Sequence, residues 1–377
     1  MKPVEAGVAK RVIVFLGAGH AHLFSLRRLS SFVAAGYVPT VVAPGPFWYS
    51  GLATGVLSGR HCPERDTIDV AALVRRSGGR FIQGSVTSID PLRRTVHLAE
   101  GGAGAAPVPY DLLSLSLGSV VPDIPGASGD DVFAVKPIAR LWELRQRLCR
   151  ETESSPPRVV LAGGGMTAAE VAANLLVMGR PIQLVIVAGG PLLAAQSKAI
   201  AGQIVALLSG NGAVIRCDTR VVAVDGHTAV LANGERLPFD VFLNATGLVP
   251  SPIIRNSGLR ADVSGALMVD DTLRCIDDPA VFGGGDCIAF NGRALPRAGV
   301  FGVGQGPVLF DNLLAAMGAG SPRPYKPKHR YLWIMNLGDG TGLASWGTMH
   351  WRGALALRLK DTIDLKFLRT YQSLLLP

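Results

Sequence analysis

Twice in this chain an apolar run of strand character ends in closely spaced glycines and passes straight into a helical pattern. That repeated junction constrains the fold more than any other feature. The first is "RVIVFLGAGHAHLFSL", residues 11–26, and the second is "RVVLAGGGMTAAEVAANLL", residues 158–176. Each run is β-branched and apolar on both faces, as a central parallel strand requires. In the turn that follows, Gly17 and Gly163 allow the sharp reversal, while Gly19 and Gly165 let a pyrophosphate approach the backbone. The helix beginning there offers unpaired N–H groups and a positive dipole end. The third place of such a turn normally holds a glycine that eases helix–strand packing, and it is His22 in the first junction and Ala168 in the second. One junction alone would be ambiguous. Two predict a pair of nucleotide-binding units.

The remaining strands fit that plan. "HAHLFSLRRLSSFVAAG" predicts a helix stopped at Gly36, and "VPTVVAP", residues 38–44, a second strand. "YDLLSLSLGS" at 110–119 and "FDVFLNATGLVPS" at 239–251 each run to a glycine, Gly118 and Gly247. Each follows a predicted hairpin, "RTVHLAEG" and "TAVLANGERL", the latter turning at Asn233–Gly234. "AVFGGGDCIAF" at 280–290 is a short strand leading to glycines and Asp286, whose carboxylate could accept a hydrogen bond from a sugar or ribityl hydroxyl. The expectation is an α/β chain with two Rossmann-like units that are diverged copies of one plan.

Length and composition set the outer limits. A chain of 377 residues is too long for one ordinary core, and 48% apolar residues can fill two or three domains. The net charge of +9 points to an anionic partner, for which nucleotide phosphates, a lipid surface or nucleic acid would each serve. Nucleic acid is the weakest of these, because the aromatics are not interleaved with basic residues on a recognisable module. Five cysteines, an odd number without a Cys-x-x-Cys pair, argue for a reducing, cytoplasmic setting. The apolar run after the basic opening is short for a signal peptide and about right for a buried strand. With no apolar stretch of about 18 residues, a soluble or membrane-surface protein is expected. His20 and His22 point roughly 200° apart at a helix start, poor geometry for sharing one metal, so no metal site is expected.

"GAGHAHLFSLRRL", "YSGLATGVLSG" at 49–59, "LSLSLGS" at 113–119, "VKPI" at 135–138, "RAGVFGVGQGPVLFDNL" at 297–313 and "LGDGTGLASWG" at 337–347 carry a wider likeness. With them the chain resembles the FAD-dependent pyridine nucleotide-disulfide oxidoreductase superfamily, which includes type II NADH dehydrogenases, sulfide:quinone oxidoreductases and apoptosis-inducing factors. Within it the chain is most similar to the flavoprotein family sometimes fused ahead of selenide, water dikinase. No kinase half is expected here.

The resemblance implies a discontinuous FAD-binding domain over 1–135 and 245–325, an NAD(P)-binding-like domain inserted over 136–244, and a C-terminal interface or membrane-surface segment over 326–377. It places FAD pyrophosphate at Gly17 and Gly19 and the ribityl chain at Asp286, and NAD(P)H at Gly163 and Gly165. Glu170 would shape the nicotinamide contact. Gly306 and Pro307 would open a helix whose N-terminus stabilises reduced flavin, and Gln305 would stand near a quinone acceptor. Tyr49, Ser50, Gly118 and Gly247 would line the cofactor, with turn residues the other reading of Tyr49 and Ser50. His20 is either a pyrophosphate or flavin neighbour or a packed histidine. Lys136 either faces the flavin or pairs with an acid between domains.

Several positions depart from the pattern. No acid follows the second strand of either unit: the first reads "VVAPGPFW" and the second "LVIVAGGPLL", with Ala188 where a ribose-binding carboxylate is expected. NADH and NADPH are therefore not distinguished. Only Cys62 stands where disulfide reductases carry a pair, which rules out a dithiol relay, and Cys149, Cys275 and Cys287 are either sulfide-oxidising or plain packing. Along "HWRGALALRLKDTIDLKFLRTY", 350–371, Trp351, Leu355, Leu359, Ile363 and Phe367 repeat every four residues, with Arg352, Lys360, Lys366 and Arg369 elsewhere on the helix. This predicts a basic amphipathic helix that docks on the inner face of a membrane, on a second subunit of a homodimer, or on its own core. The expected activity is hydride transfer from NAD(P)H to flavin, with electrons leaving to quinone or another small acceptor. The alternatives are a flavoenzyme acting directly on its substrate and a flavin-bearing binding or redox-sensing protein.

Overall fold

The computed structural model describes residues 10–99, 106–150 and 155–375. Arg11–Leu16 forms the centre of a five-stranded parallel sheet, flanked by Tyr37–Ala43 and Leu112–Leu115, with Arg80–Gln83 beyond the former and Val281–Gly283 beyond the latter. A second parallel sheet repeats the order around Arg158–Ala162, with Gln183–Val187 and Val214–Arg216 on one side and Val241–Asn244 and Val132–Ala134 on the other. Both central strands bury their last four residues, which explains their unbroken apolar character. The first sheet is discontinuous in sequence, because Val281–Gly283 returns to it after the whole second sheet. The second sheet starts ahead of residue 136, because Val132–Ala134 bonds to Val241–Asn244 and to no strand of the first. Each unit also carries a three-stranded antiparallel sheet built on the expected hairpin.

The first glycines of the two junctions make the same backbone bond to the second strand, while the second glycines differ: a Cβ on Gly19 would lie 2.4 Å from Ser116 Oγ, and one on Gly165 would meet nothing within 4 Å. Gly17 has φ +81° and donates its N–H to Val42 O at 2.8 Å; Gly163 has φ +146° and donates to Val187 O, also at 2.8 Å. A Cβ on Gly17 would lie 2.4 Å from Ser116 O, and one on Gly163 2.3 Å from Ala245 O, so both positions admit only glycine. The expected first helix is in fact two, His20–Leu26 and Leu29–Ala34, separated at Arg27–Arg28. His22, in the third-glycine place, is fully buried, with Nδ1 2.6 Å from Gly17 O and Nε2 2.8 Å from Ser114 Oγ. Burial pushes its pKa down to about 4, and the carbonyl partner assigns the proton of the neutral ring to Nδ1. It therefore ties helix to strand where a glycine would only permit their approach.

Two expectations about helices are corrected. Gly306 and Pro307 do not open a helix: they lie in the middle of Gly299–Ala316. Gly302 and Gly306 instead form a small-residue face, where a Cβ would come within 3.0 Å of His20 Cβ and Phe24 Cβ respectively, and this lets the helix pack closely on His20–Leu26. The C-terminal helix starts at Ala354 rather than His350, because His350–Gly353 is the end of a strand paired with Gly342–Trp346. Leu332–Asn336 completes that antiparallel sheet. This C-terminal unit joins both halves: Met335, Leu337 and Leu343 belong to the second unit's core, while Leu368 and Tyr371 belong to the first.

Candidate functional site

Three chain segments converge beside the first junction. Asp286 follows the glycines that end Val281–Gly283, Ser119 follows Gly118, and Lys136 follows the first strand of the second sheet. Lys136 Nζ donates to Asp286 Oδ2 at 2.9 Å and to Ser119 Oγ at 2.7 Å, and Ser119 Oγ donates to Asp286 Oδ2 at 2.8 Å. Lys136 is thus paired with an acid, and that acid is Asp286 itself rather than one in the segment between the domains. Burial pushes the Asp286 carboxyl up, but the Lys136 ammonium, with Ser119 and His20, outweighs it and holds the group below the usual range.

His20 leaves the first junction on the opposite side from His22. Its ring centroid lies 5.0 Å from Phe47, 5.6 Å from Tyr49 and 5.9 Å from Phe367 of the C-terminal helix. Its Nε2 is buried without a hydrogen-bond partner, and burial lowers its pKa to about 4. The Gly299–Ala316 helix begins here, since a Cβ on Gly299 would lie 3.0 Å from His20 Nε2. The dipole end expected at Gly306 is thus supplied one and a half to two turns earlier. Gln305, buried mid-helix, accepts from Gly285 N at 2.6 Å and has no partner for Nε2, so it braces the Gly284–Asp286 loop.

Tyr49 stacks on Phe367 at 4.9 Å and donates its hydroxyl to Asp364 Oδ1 at 2.8 Å. Lys360, one turn earlier on the C-terminal helix, donates to Asp364 Oδ2 at 2.7 Å and to Gly51 O. Lys360 and Asp364 are buried, so this lysine is not on the basic outer face expected of it. Asp66, whose carbonyl accepts from Tyr49 N, is fully buried with both carboxylate oxygens unpartnered. Burial, reinforced by Asp364, pushes its pKa up to about 8 against the pull of Lys360. Ser50 is exposed in the adjoining turn and takes no part in this cluster.

Glu170 stands on the first turns of the Met166–Leu175 helix that leaves the second junction. Its Oε1 accepts from Thr54 Oγ1 of the first unit and from Asn336 N of the C-terminal sheet, both at 3.0 Å. Asn174 and Asn336 close the joint: Asn336 Nδ2 donates to Asn174 Oδ1 at 2.8 Å, and Asn174 Nδ2 donates to the backbone carbonyl of Asn336 at 3.0 Å. Burial, partly offset by Lys360, raises the Glu170 carboxyl above the usual range. Ser119, Thr54, Asn336, Asp364 and Asp66 were not singled out from sequence, and Lys360 was named only as a charge of the tail helix. For Asp364 a signal existed, because it stands four residues after Lys360, the spacing of a helical ion pair, on the flank of the apolar stripe.

The residues fit an FAD on the first unit. Gly19 opens the helix, Gly118 and Gly247 have positive φ with no protein atom within 4 Å of where a Cβ would stand, and two buried nitrogens, on His20 and Gln305, await partners. In the second unit Gly165, at φ −88°, likewise meets nothing within 4 Å, and a cavity of about 290 Å³ lies over Gly164, Gly165 and Met166. Among the described residues no group of three His, Cys, Asp or Glu side chains is arranged to hold a metal. The nominated cysteines do not form a pair: Cys149 is exposed, while Cys275 and Cys287 are buried, and burial pushes the Cys287 thiol up to about 11.

Comparison with known proteins gives the family and the fold. The family model described as pyridine nucleotide-disulphide oxidoreductase matches residues 11–320. An NADH dehydrogenase-like protein of Mycobacterium tuberculosis is 30% identical, over 74% of this chain and 72% of its own. The demethylphylloquinone reductase NdbB of Synechocystis is 27% identical over the same shares. Among solved structures, NDH2 from Plasmodium falciparum in complex with NADH superimposes with a TM-score of 0.80 at 16% identity, covering 96% of this chain and 95% of that one. The sulfide:quinone oxidoreductase of Aquifex aeolicus gives 0.76 at 14% identity, covering 97% and 92%.

Proposed function

Because the chain belongs to the pyridine nucleotide-disulphide oxidoreductase family, we propose that it is an FAD-dependent oxidoreductase that takes hydride from NAD(P)H and passes electrons to quinone or another small acceptor. The observation that carries this is the Glu170 joint. It ties the helix of the second glycine junction to Thr54, beside the Tyr49–Gly51 turn of the first unit, which supports a hydride path between the two units.

When bound, FAD supplies the two-electron chemistry. The protein's own groups divide the remaining work. Gly17 and Gly19, packed against Ser116, form the turn that presents the helix N-terminus to the pyrophosphate, and Asp286, held ionised by Lys136, accepts a ribityl hydroxyl with the oxygen Ser119 leaves free. The Gly299 helix start directs positive dipole character toward the His20 side of the site. His20 stays uncharged at neutral pH and keeps Nε2 for a hydrogen bond. The Phe47, Tyr49 and Phe367 rings exclude water. Burial makes Glu170 retain a proton more readily than an exposed acid, and Oε2 is the oxygen left free to exchange it, since Oε1 accepts twice.

Acceptor access fits a membrane surface. Leu355, Leu359 and Ile363 of the C-terminal helix and Trp346, Met349 and Trp351 of the adjoining hairpin are all exposed, Leu355 by 74%. Arg358, Lys366 and Arg369 flank them in solvent. Phe367, the last of the predicted stripe, turns inward onto Tyr49 instead. No helix among the described residues is long and apolar enough to cross a membrane, and the exposed stripe with its flanking cations supports docking on a bilayer surface. FAD titration of the purified protein tests the flavin reading: tight uptake is expected, and protein that neither carries nor takes up FAD overturns it. Co-sedimentation with anionic vesicles is expected. Dimerisation through the stripe without vesicle binding would assign it to a second copy.

A further inference from the structure

Resting on the reading of the inserted unit as a nicotinamide-nucleotide site, we infer that this unit selects NADPH over NADH and that Arg220 is the residue that does so. In a unit of this fold the residue following the second strand faces the adenosine ribose, where a carboxylate would bind the 2'-hydroxyl and repel a 2'-phosphate. Here Gln183–Val187 is followed by Ala188, Gly189 and Gly190, which present no carboxylate. Ala188 is buried, its methyl 2.9 Å from where a Cβ on Gly164 would stand, so it is turned under the glycine junction. Gly189 takes the outward place. A Cβ there would meet a single protein atom within 4 Å, the Cβ of Arg220 at 3.8 Å.

The backbone holds Arg220 against that strand end. Ala188 N donates to Arg216 O at 2.8 Å, Thr219 N donates to Ala188 O at 3.2 Å, and Ala232 N donates to Arg220 O at 2.9 Å. Thr219 is buried and Arg220 is exposed, so the arginine side chain projects outward from the loop. Among the described residues no ion pair involves Arg220, whereas Arg216 reaches Glu235 at 3.4 Å. The cavity over Gly164 and Gly165, bounded by residues of the 190–196 segment, has no charged side chain in its wall. The cation at this end of the unit therefore comes from a separate loop, which is why reading along the second strand alone misses it. A guanidinium suits a phosphate monoester, offering parallel N–H donors to a group carrying close to two negative charges. Asp218, exposed two residues earlier, is the one carboxylate of that loop.

The test uses the FAD-loaded full chain and equilibrium calorimetry with NADP+ and NAD+, which do not reduce oxidised flavin, and with 2'-AMP and 5'-AMP as fragments. NADP+ is expected to bind about tenfold tighter than NAD+, and 2'-AMP tighter than 5'-AMP. Arg220→Ala is expected to bring both ratios close to one, while Arg220→Lys keeps part of the preference. Equal or tighter binding of NAD+, or an undiminished NADP+ preference in Arg220→Ala, overturns the assignment. Tighter NAD+ abolished by Asp218→Ala would give the selection to the carboxylate. Binding of neither nucleotide by protein that retains FAD would remove the nicotinamide reading itself.

Discussion

Two glycines two residues apart, Gly163 and Gly165, answer differently to the same methyl group, and that contrast separates folding from binding in the second unit. Gly163→Ala places a Cβ 2.3 Å from the Ala245 carbonyl oxygen, on a backbone at φ +146°. The backbone strain and a clash with main chain that cannot rotate away cost about 2–4 kcal/mol. Gly165 has φ −88° and ψ −177°, extended values any residue adopts, and nothing within 4 Å. Gly165→Ala should leave stability unchanged or raise it by about 0.5 kcal/mol, through lost freedom of the unfolded chain. The methyl would, however, stand between the helix N–H groups and a nucleotide phosphate. Losing one charge-assisted hydrogen bond costs about 2 kcal/mol, roughly a thirtyfold weaker NAD(P)H affinity. Thermal melts and nucleotide titrations of both variants make the assay. Wild-type nucleotide affinity in well-folded Gly165→Ala would refute the placement of the phosphates at this junction.

Asp286→Ala should lower FAD content and leave Lys136 enclosed without its acid, at a stability cost of about 2–3 kcal/mol; unchanged FAD content would contradict it. In the wild type the depressed pKa of Asp286 means its contribution is present at neutral pH and is lost as pH falls through the folded-state value. Asp66 has the opposite sign. Its pKa rises from 3.8 to about 8, so the folded state keeps a proton the unfolded chain releases, and stability falls by about 1.4 kcal/mol per pH unit across that window. Asp66→Asn should therefore gain on the wild type in melting temperature as pH rises from about 5 to 8, and parallel curves would count against a buried neutral acid. Glu170→Gln keeps the Oε1 acceptor and should retain FAD while slowing its reduction about tenfold or more, a loss that single-turnover absorbance would detect. Replacing Leu355, Leu359 and Ile363 together by Ser should abolish vesicle co-sedimentation with little effect on melting, since all three are exposed; retained sedimentation would place the contact elsewhere.

The parallel core was legible because glycine turns and doubly buried strands are local signals, and both junctions stand where the sequence puts them. The internal duplication was legible for the same reason, down to the Asn233–Gly234 turn. What escaped was set by tertiary contact. Gly306–Pro307 reads as a helix start because proline suits the first turn, yet the preceding residues are already helical, and the glycine serves close packing on Phe24. Trp351 fits the four-residue period of the tail but lies on a strand, because pairing with Ala344 overrides a pattern that both structures could share. Lys360 was counted with the outer charges, and only the fold shows Asp364 and Gly51 meeting it inside. Lys136 pairs with Asp286, 150 residues away, a partner that neither reading from sequence named.

The most direct test of the central claim is an anaerobic stopped-flow trace of the FAD-loaded protein mixed separately with NADPH and NADH. Loss of the oxidised flavin's visible absorption within a single turnover is predicted, faster at limiting concentration with NADPH. A flavin band that survives both nucleotides would contradict the account, leaving the second unit as a scaffold and Glu170 as a structural joint.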